Sequence, residues 1–387
     1  MKNRYSMFAE PLHVGLLKRL RLLPPAERSE ARRRIVLLML IGWLPMAVLA
    51  TIEALFSEHA APLGFYTDFA MYAQLLIAAP ILILCEYSVL PALGDIALYF
   101  SRSAVIPDEE HPRFETLVES ARRLSAGVWP SFTLAIVVYA IDLAVFLFMP
   151  QRMVPDWQRS ADGTRLSFAG WWHMLVALPL VIGLLLAWLW RLGIWMRFLF
   201  DVSRMPLRLV AAHPDRFAGL QFLAYSPRVF LPLAFAISVF GAGTFANEVF
   251  HNGVSPLEHS IGPIVTVLLL VAILLLPPFF FTPALMRAWQ RGVFLYGELA
   301  RRVGQRFEAK WLATGRTIDE DTLDVPDFST TTDLYGVVGN VYAMRLVLID
   351  LRVVIGLAVA ACVPFVPIWL SAIPAKTVLD HVLGLLI

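Results

Sequence analysis

The sequence predicts an all-α membrane protein of about seven transmembrane helices, with amphipathic cytoplasmic helices, the N-terminus inside and the C-terminus outside. Three observations predict it. Seven apolar stretches each hold about the 20 residues that cross roughly 30 Å of hydrocarbon as a helix, the open-ended structure that satisfies its own backbone there. The composition, 58% hydrophobic and 16% charged with mean hydropathy +0.68, exceeds what a soluble chain of 387 residues carries. Lys and Arg also concentrate in alternate gaps between the stretches. With Arg228 counted in the gap it borders, they number 9, 4, 6 and 9 in one set of gaps and 0, 3, 0 and 1 in the other. Basic residues near span ends resist translocation, so the richer set faces the cytoplasm.

The spans fall at residues 35–56, 69–92, 129–149, 171–190, 226–250, 261–286 and 353–373. Residues 1–34 precede them as a cytoplasmic segment, 35–286 form the six-helix region, 287–352 a cytoplasmic helix and acidic linker, and 353–387 the last span and external tail. The stretch over 7–23 sets Met7, Phe8, Leu12, Leu16, Leu20 and Leu23 among Lys18, Arg19 and Arg21, which suits a helix on the anionic inner leaflet. In the fourth span Trp171 and Trp172 open the helix and Trp188, Trp190 and Trp195 close it, as rings anchored in the two headgroup layers. Gly241, Gly243 and Ala246, and Gly356 with Ala360, offer small faces for close helix packing; an unwound segment at 241–244 is the alternative. Pro277, Pro278 and Pro283 divide or kink the long sixth span.

Beyond the sixth span, Tyr296, Leu299, Val303, Phe307 and Trp311 recur at helical spacing opposite Arg301, Arg302, Arg306 and Lys310, a second interfacial or bundle helix. Residues 314–333 are acidic and Ser/Thr-rich and read as a solvated linker; they lack the glycine turn and terminal Glu of a calcium loop. Two short echoes suggest an internal repeat: His111-Pro112-Arg113-Phe114 against His213-Pro214-Asp215-Arg216-Phe217, and Pro-Ala-Leu at 91–93 and 283–285. Cys85 and Cys362 both lie in apolar runs as small buried hydrophobes.

Pro206-Leu207-Arg208-Leu209 through His213-Pro214-Asp215-Arg216, then Gly219-Leu220, is similar to a recurring stretch in uncharacterised bacterial multi-span membrane proteins. Met344-Arg345 and Asp350-Leu351-Arg352 resemble their closing region. The resemblance implies a bacterial inner (cytoplasmic) membrane and no known activity, and this chain has Ala218 where the relatives carry the first of two glycines. His213-Pro214-Asp215 also matches the tripeptide of J-domain co-chaperones, without the soluble helical hairpin that carries it there. The residues themselves read as a tight turn, with Asp215 capping the segment after it.

Ionisable groups at membrane depth are the candidate site, because they are costly there and usually turn inward. Asp142 lies well inside the third span. Glu53, Asn247, Glu248 and His173 lie at similar or shallower outer levels, so that four helices aim polar groups at one outward-facing cavity. Glu86 and Gln74 share the second span. Carboxylates without an intramembrane Lys or Arg favour cations or protons. The leading function is therefore a channel or transporter for cations or protons. A membrane scaffold or sensor that organises partners through its cytoplasmic segments is the alternative, and an intramembrane lipid-directed enzyme the third. The chain carries no H-E-x-x-H, P-loop or G-x-S-x-G motif, and no cofactor or metal is implied. Expected partners are the lipid bilayer, anionic inner-leaflet lipids and further copies of the chain, a homo-oligomer; nucleic acid is excluded by where the basic residues lie.

Overall fold

The computed structural model describes residues 7–8, 27–56, 61–148, 154–160, 165–312 and 327–371. Ten helices run through them: α1 (Ser29–Phe56), α2 (Phe69–Arg102), α3 (His111–Ala126), α4 (Val128–Phe148), α5 (Phe168–Ser203), α6 (Gln221–Asn252), α7 (Ile261–Phe279), α8 (Thr282–Trp311), α9 (Asp327–Tyr342) and α10 (Leu351–Ser371). Six of them, α1, α2, α5, α6, α7 and α10, are long and apolar enough to cross a membrane. The helix predicted over 129–149 is present as α4, with described side chains from Phe132 to Phe148.

Side-chain contacts give the relative directions. Arg34 meets Glu86 and Gly42 packs on Leu75, so α1 and α2 are antiparallel. Phe222 packs against Tyr99 and Phe100 at one end, and Asn247 bonds Phe69 at the other, so α6 runs against α2. Gly356 packs on Leu231 and Phe365 on Gly241, which makes α10 parallel to α6. For α4, Trp190 donates to the Leu124 carbonyl just before it, Val138 lies beside Gly183, and Phe146 meets Trp171 near its end. It thus runs antiparallel to the Trp171–Trp190 part of α5. Arg34, Arg102 and Arg191 share one end of the bundle, the basic end.

Two apolar cores follow from this arrangement. A large one joins α2, α3, α5, α6, α7 and α10 toward the basic end; a smaller one, around Met46, Phe65, Leu75, Trp157 and Val181, fills the opposite end. Outward, side chains such as Phe132, Ile136, Leu268 and Leu269 are exposed, the reverse of a water-soluble surface.

Several expectations are corrected. The first and fourth spans do not stop at the charges Arg34 and Arg191; their helices run through both, to Ser29 and Ser203. At 1.5 Å per residue, α2 and α5 are about 50 Å long, more than the roughly 30 Å of a hydrocarbon core. Because α5 continues so far, Trp188 and Trp195 are buried in the core rather than anchored in a headgroup layer, whereas Trp171 and Trp190 are exposed. Residues 241–244 are unbroken α-helix. Pro277 and Pro278 do end a helix: α7 stops at Phe279 and α8 restarts at Thr282. Of the amphipathic stretch 7–23, Met7 and Phe8 are buried in the large core, and the rest lies outside the described residues. Within the acidic stretch, Asp327 and Asp333 belong to α9, and 314–326 lie outside the described residues. The two histidine motifs differ in form: His111 opens α3, while His213 sits in a turn. Pro91 lies inside α2, whereas Pro283 opens α8. The shared words thus fall at different places in their helices and turns.

Candidate functional site

Polar groups gather at two levels of the helix bundle. Toward the basic end, Glu86 of α2 is buried between two arginines. Its Oε2 accepts from Arg34 Nη1 at 2.5 Å, and its Oε1 lies 2.8 Å from Arg191 Nη1. Arg34 also donates to the Tyr87 hydroxyl at 3.3 Å, and Tyr87 donates to Glu30 Oε1 at 3.0 Å. The Arg191 guanidinium stands 5.2 Å from the Trp188 ring, whose Nε1 donates to the Leu82 carbonyl. Glu86 thus pairs with both guanidiniums, and this triad ties α1, α2 and α5 together. For Glu86 alone this corrects the expectation that the membrane-depth carboxylates lack Lys or Arg partners. A buried charge is tolerated only when paired and hydrogen-bonded, and here Glu86 is both.

At the opposite end the organising group is Asp68, the cap of α2. It accepts from Met71 N at 3.1 Å, Asn247 Nδ2 at 2.8 Å and Trp157 Nε1 at 2.8 Å. Asn247 in turn accepts from Phe69 N at 2.8 Å. His173 meets the edge of the Trp157 ring, with centroids 5.8 Å apart. Glu53 reaches the start of α5, which Ser167 caps, and accepts from Phe168 N at 2.6 Å, while its Oε2 is buried without a hydrogen-bond partner among the described residues. Glu53, His173 and Asn247 are thus brought into one neighbourhood, closed by packed aromatics: Phe65 lies 5.1 Å from Trp157 and 5.9 Å from Trp43. Glu248 is exposed and stands apart from it. Sequence reasoning missed Asp68 and Trp157. An Asp just before the apolar run Phe69-Ala70-Met71 is a capping signal that would have found the first.

Between these levels three spans carry a π-helical segment: Met39–Trp43 in α1, Tyr72–Ala78 in α2 and His173–Ala177 in α5. The first packs on both of the others. Trp172 donates to the Ile41 carbonyl at 2.9 Å, and a methyl added to Gly42 would lie 3.1 Å from Leu75. Each wide turn shifts the helix face beyond it, and such turns recur at functional sites. Gln74 is buried within the second.

Asp142 belongs to neither group. It is 3% exposed on α4, flanked by exposed Ile141 and Leu143, and shares its buried strip with Val138, one turn earlier, which lies beside Gly183 of α5. Its Oδ1 has no hydrogen-bond partner among the described residues.

The His213-Pro214-Asp215-Arg216 turn lies outside the spans. Asp215 accepts from the backbone N–H of Phe217 at 2.8 Å, Gly219 at 3.1 Å and Gln221 at 3.2 Å, and His213 Nδ1 is 2.9 Å from its Oδ1. The cap expected from the sequence is present. The chain bends through positive φ at Arg216, Ala218 and Gly219, and Arg345 N donates to the Arg216 carbonyl at 2.8 Å. Because the carboxylate of Asp215 already occupies these N–H groups, they are not offered to a phosphate.

Six long apolar helices with outward-facing apolar side chains define a multi-span integral membrane protein in contact with a lipid bilayer. No protein-family model, curated protein or solved structure matches the chain.

Proposed function

We propose that this protein passes protons or small cations across a bacterial inner membrane as a channel or transporter, with seven crossings, the N-terminus in the cytoplasm and the C-terminus outside. The observation that carries the function is Asp142. A carboxyl at membrane depth with an unpartnered oxygen is relieved by a proton or by a bound cation, and exchange between those conditions is a translocation chemistry. The seventh crossing rests on α4, which runs beside the Trp171–Trp190 part of α5, and the orientation rests on the alternating Lys and Arg.

The test is flux in liposomes reconstituted with the full chain. Proton or cation flux that falls at least about tenfold in Asp142→Asn, a loss of about 1.4 kcal/mol, supports the reading. Equal flux in the two proteins removes it, and flux in neither leaves the scaffold reading in its place.

A further inference from the structure

We infer that the side of α8 turned away from α9 is a contact surface for anionic lipid headgroups. The sequence places Tyr296, Leu299, Val303, Phe307 and Trp311 on one face of this helix, but the fold divides its apolar residues between two partners. α9 takes one side: Phe328 packs on Phe307 and Trp311, and the Tyr342 and Tyr335 hydroxyls approach Gly297 and Gly304. Gly292 is closed by Ala211 and Val341. At 100° per residue the remaining side carries Phe294, Leu295 and Leu299, with Arg287, Arg291, Arg302 and Arg306 around them. Phe294 is 77% and Leu295 64% exposed, high for large apolar side chains outside the bilayer.

Charge commits the surface to an anionic partner. Glu298 is the acid of this side, and it is already engaged: Arg301 and Arg302 hydrogen-bond it at 2.7 to 2.9 Å and hold its carboxyl down at about 2. Arg291 and Arg306 have no ion pair among the described residues. Apolar side chains interleaved with arginines on a helix that starts three residues after a membrane span match the pattern of a helix seated in a headgroup layer. Each basic residue near an anionic surface adds attraction that salt screens. The inference rests on the membrane assignment and not on the transported ion, so it survives a failed flux experiment.

The test uses full-length protein carrying Cys85→Ala, Cys362→Ala and Phe294→Cys, the last labelled with an environment-sensitive dye. The protein is placed in nanodiscs of phosphatidylcholine alone or with phosphatidylglycerol. The expected result is blue-shifted emission in the anionic discs only, reversed by salt and lost when Arg287→Gln, Arg291→Gln, Arg302→Gln and Arg306→Gln are combined. Should that fourfold variant not fold, the salt titration of the labelled protein decides alone. Equal emission in both discs overturns the inference, as does a shift reproduced by inorganic phosphate in neutral discs. So does a shift that persists in detergent and grows with protein concentration, which marks a second copy. A shift abolished by replacing residues 314–326 with a neutral linker marks the chain's own acidic segment and overturns it too.

Discussion

At the scale of single residues, burial decides what each polar group is worth. Glu86 holds two guanidiniums, so removing its charge leaves both uncompensated; Glu86→Gln is expected to destabilise by about 3–5 kcal/mol. Replacing all three members together, as Arg34→Met, Glu86→Leu and Arg191→Leu, is expected to cost less than that single change, because no charge is left unpaired. Thermal unfolding in detergent distinguishes the two, and an unchanged midpoint for Glu86→Gln contradicts the account. Ala218 offers the opposite test. Its φ of 54° puts an L side chain in the left-handed region, at about 1–2 kcal/mol, while its methyl, 1% exposed, returns about 0.8 kcal/mol of burial. Ala218→Gly should therefore stabilise by about 0.5 kcal/mol, read as a small rise in the same midpoint; a fall shows that the methyl outweighs the strain. The glycine pair expected from the resemblance is the unstrained solution at this turn.

At the scale of helices, close approach is specific to position. A methyl on Gly243 would lie 2.5 Å from Ala73 Cβ and 3.0 Å from Ala70 Cα, and backbone cannot rotate aside, so Gly243→Ala should push α6 from α2 at about 1–3 kcal/mol. Gly193, inside α5 with nothing within 4 Å, is the control: Gly193→Ala should be neutral or gain about 0.5–1 kcal/mol. Equal effects at the two sites, measured by denaturant unfolding, would contradict the packing described. The small face around Gly243 was legible in the sequence because spacing alone exposes it. Helix ends at charges were not. Hydropathy breaks at Arg34 and Arg191, while the helices continue through both because Glu86 waits on a neighbouring span, a long-range pairing that no local window contains. The π-helical turns were likewise invisible, since Met39–Trp43 and Tyr72–Ala78 are composed like any apolar helix. Of the outer polar residues, Glu53, His173 and Asn247 were found by depth alone, whereas their hub, Asp68, sits at a span edge and reads as loop until Trp157 and Asn247 close on it.

For the whole molecule, the account depends on α4 crossing the membrane beside α5. Six crossings would return the C-terminus to the side of the N-terminus; with α4 as a seventh the two ends part. An odd number also keeps Arg34, Arg102 and Arg191 with the basic gaps on one side, where 9, 4, 6 and 9 Lys and Arg collect. The most direct measurement is a compartment-specific reporter fused to each end of the full-length chain in bacterial cells. The account predicts a cytoplasmic signal from the N-terminal fusion and an external signal from the C-terminal one; signals from the same compartment would contradict it.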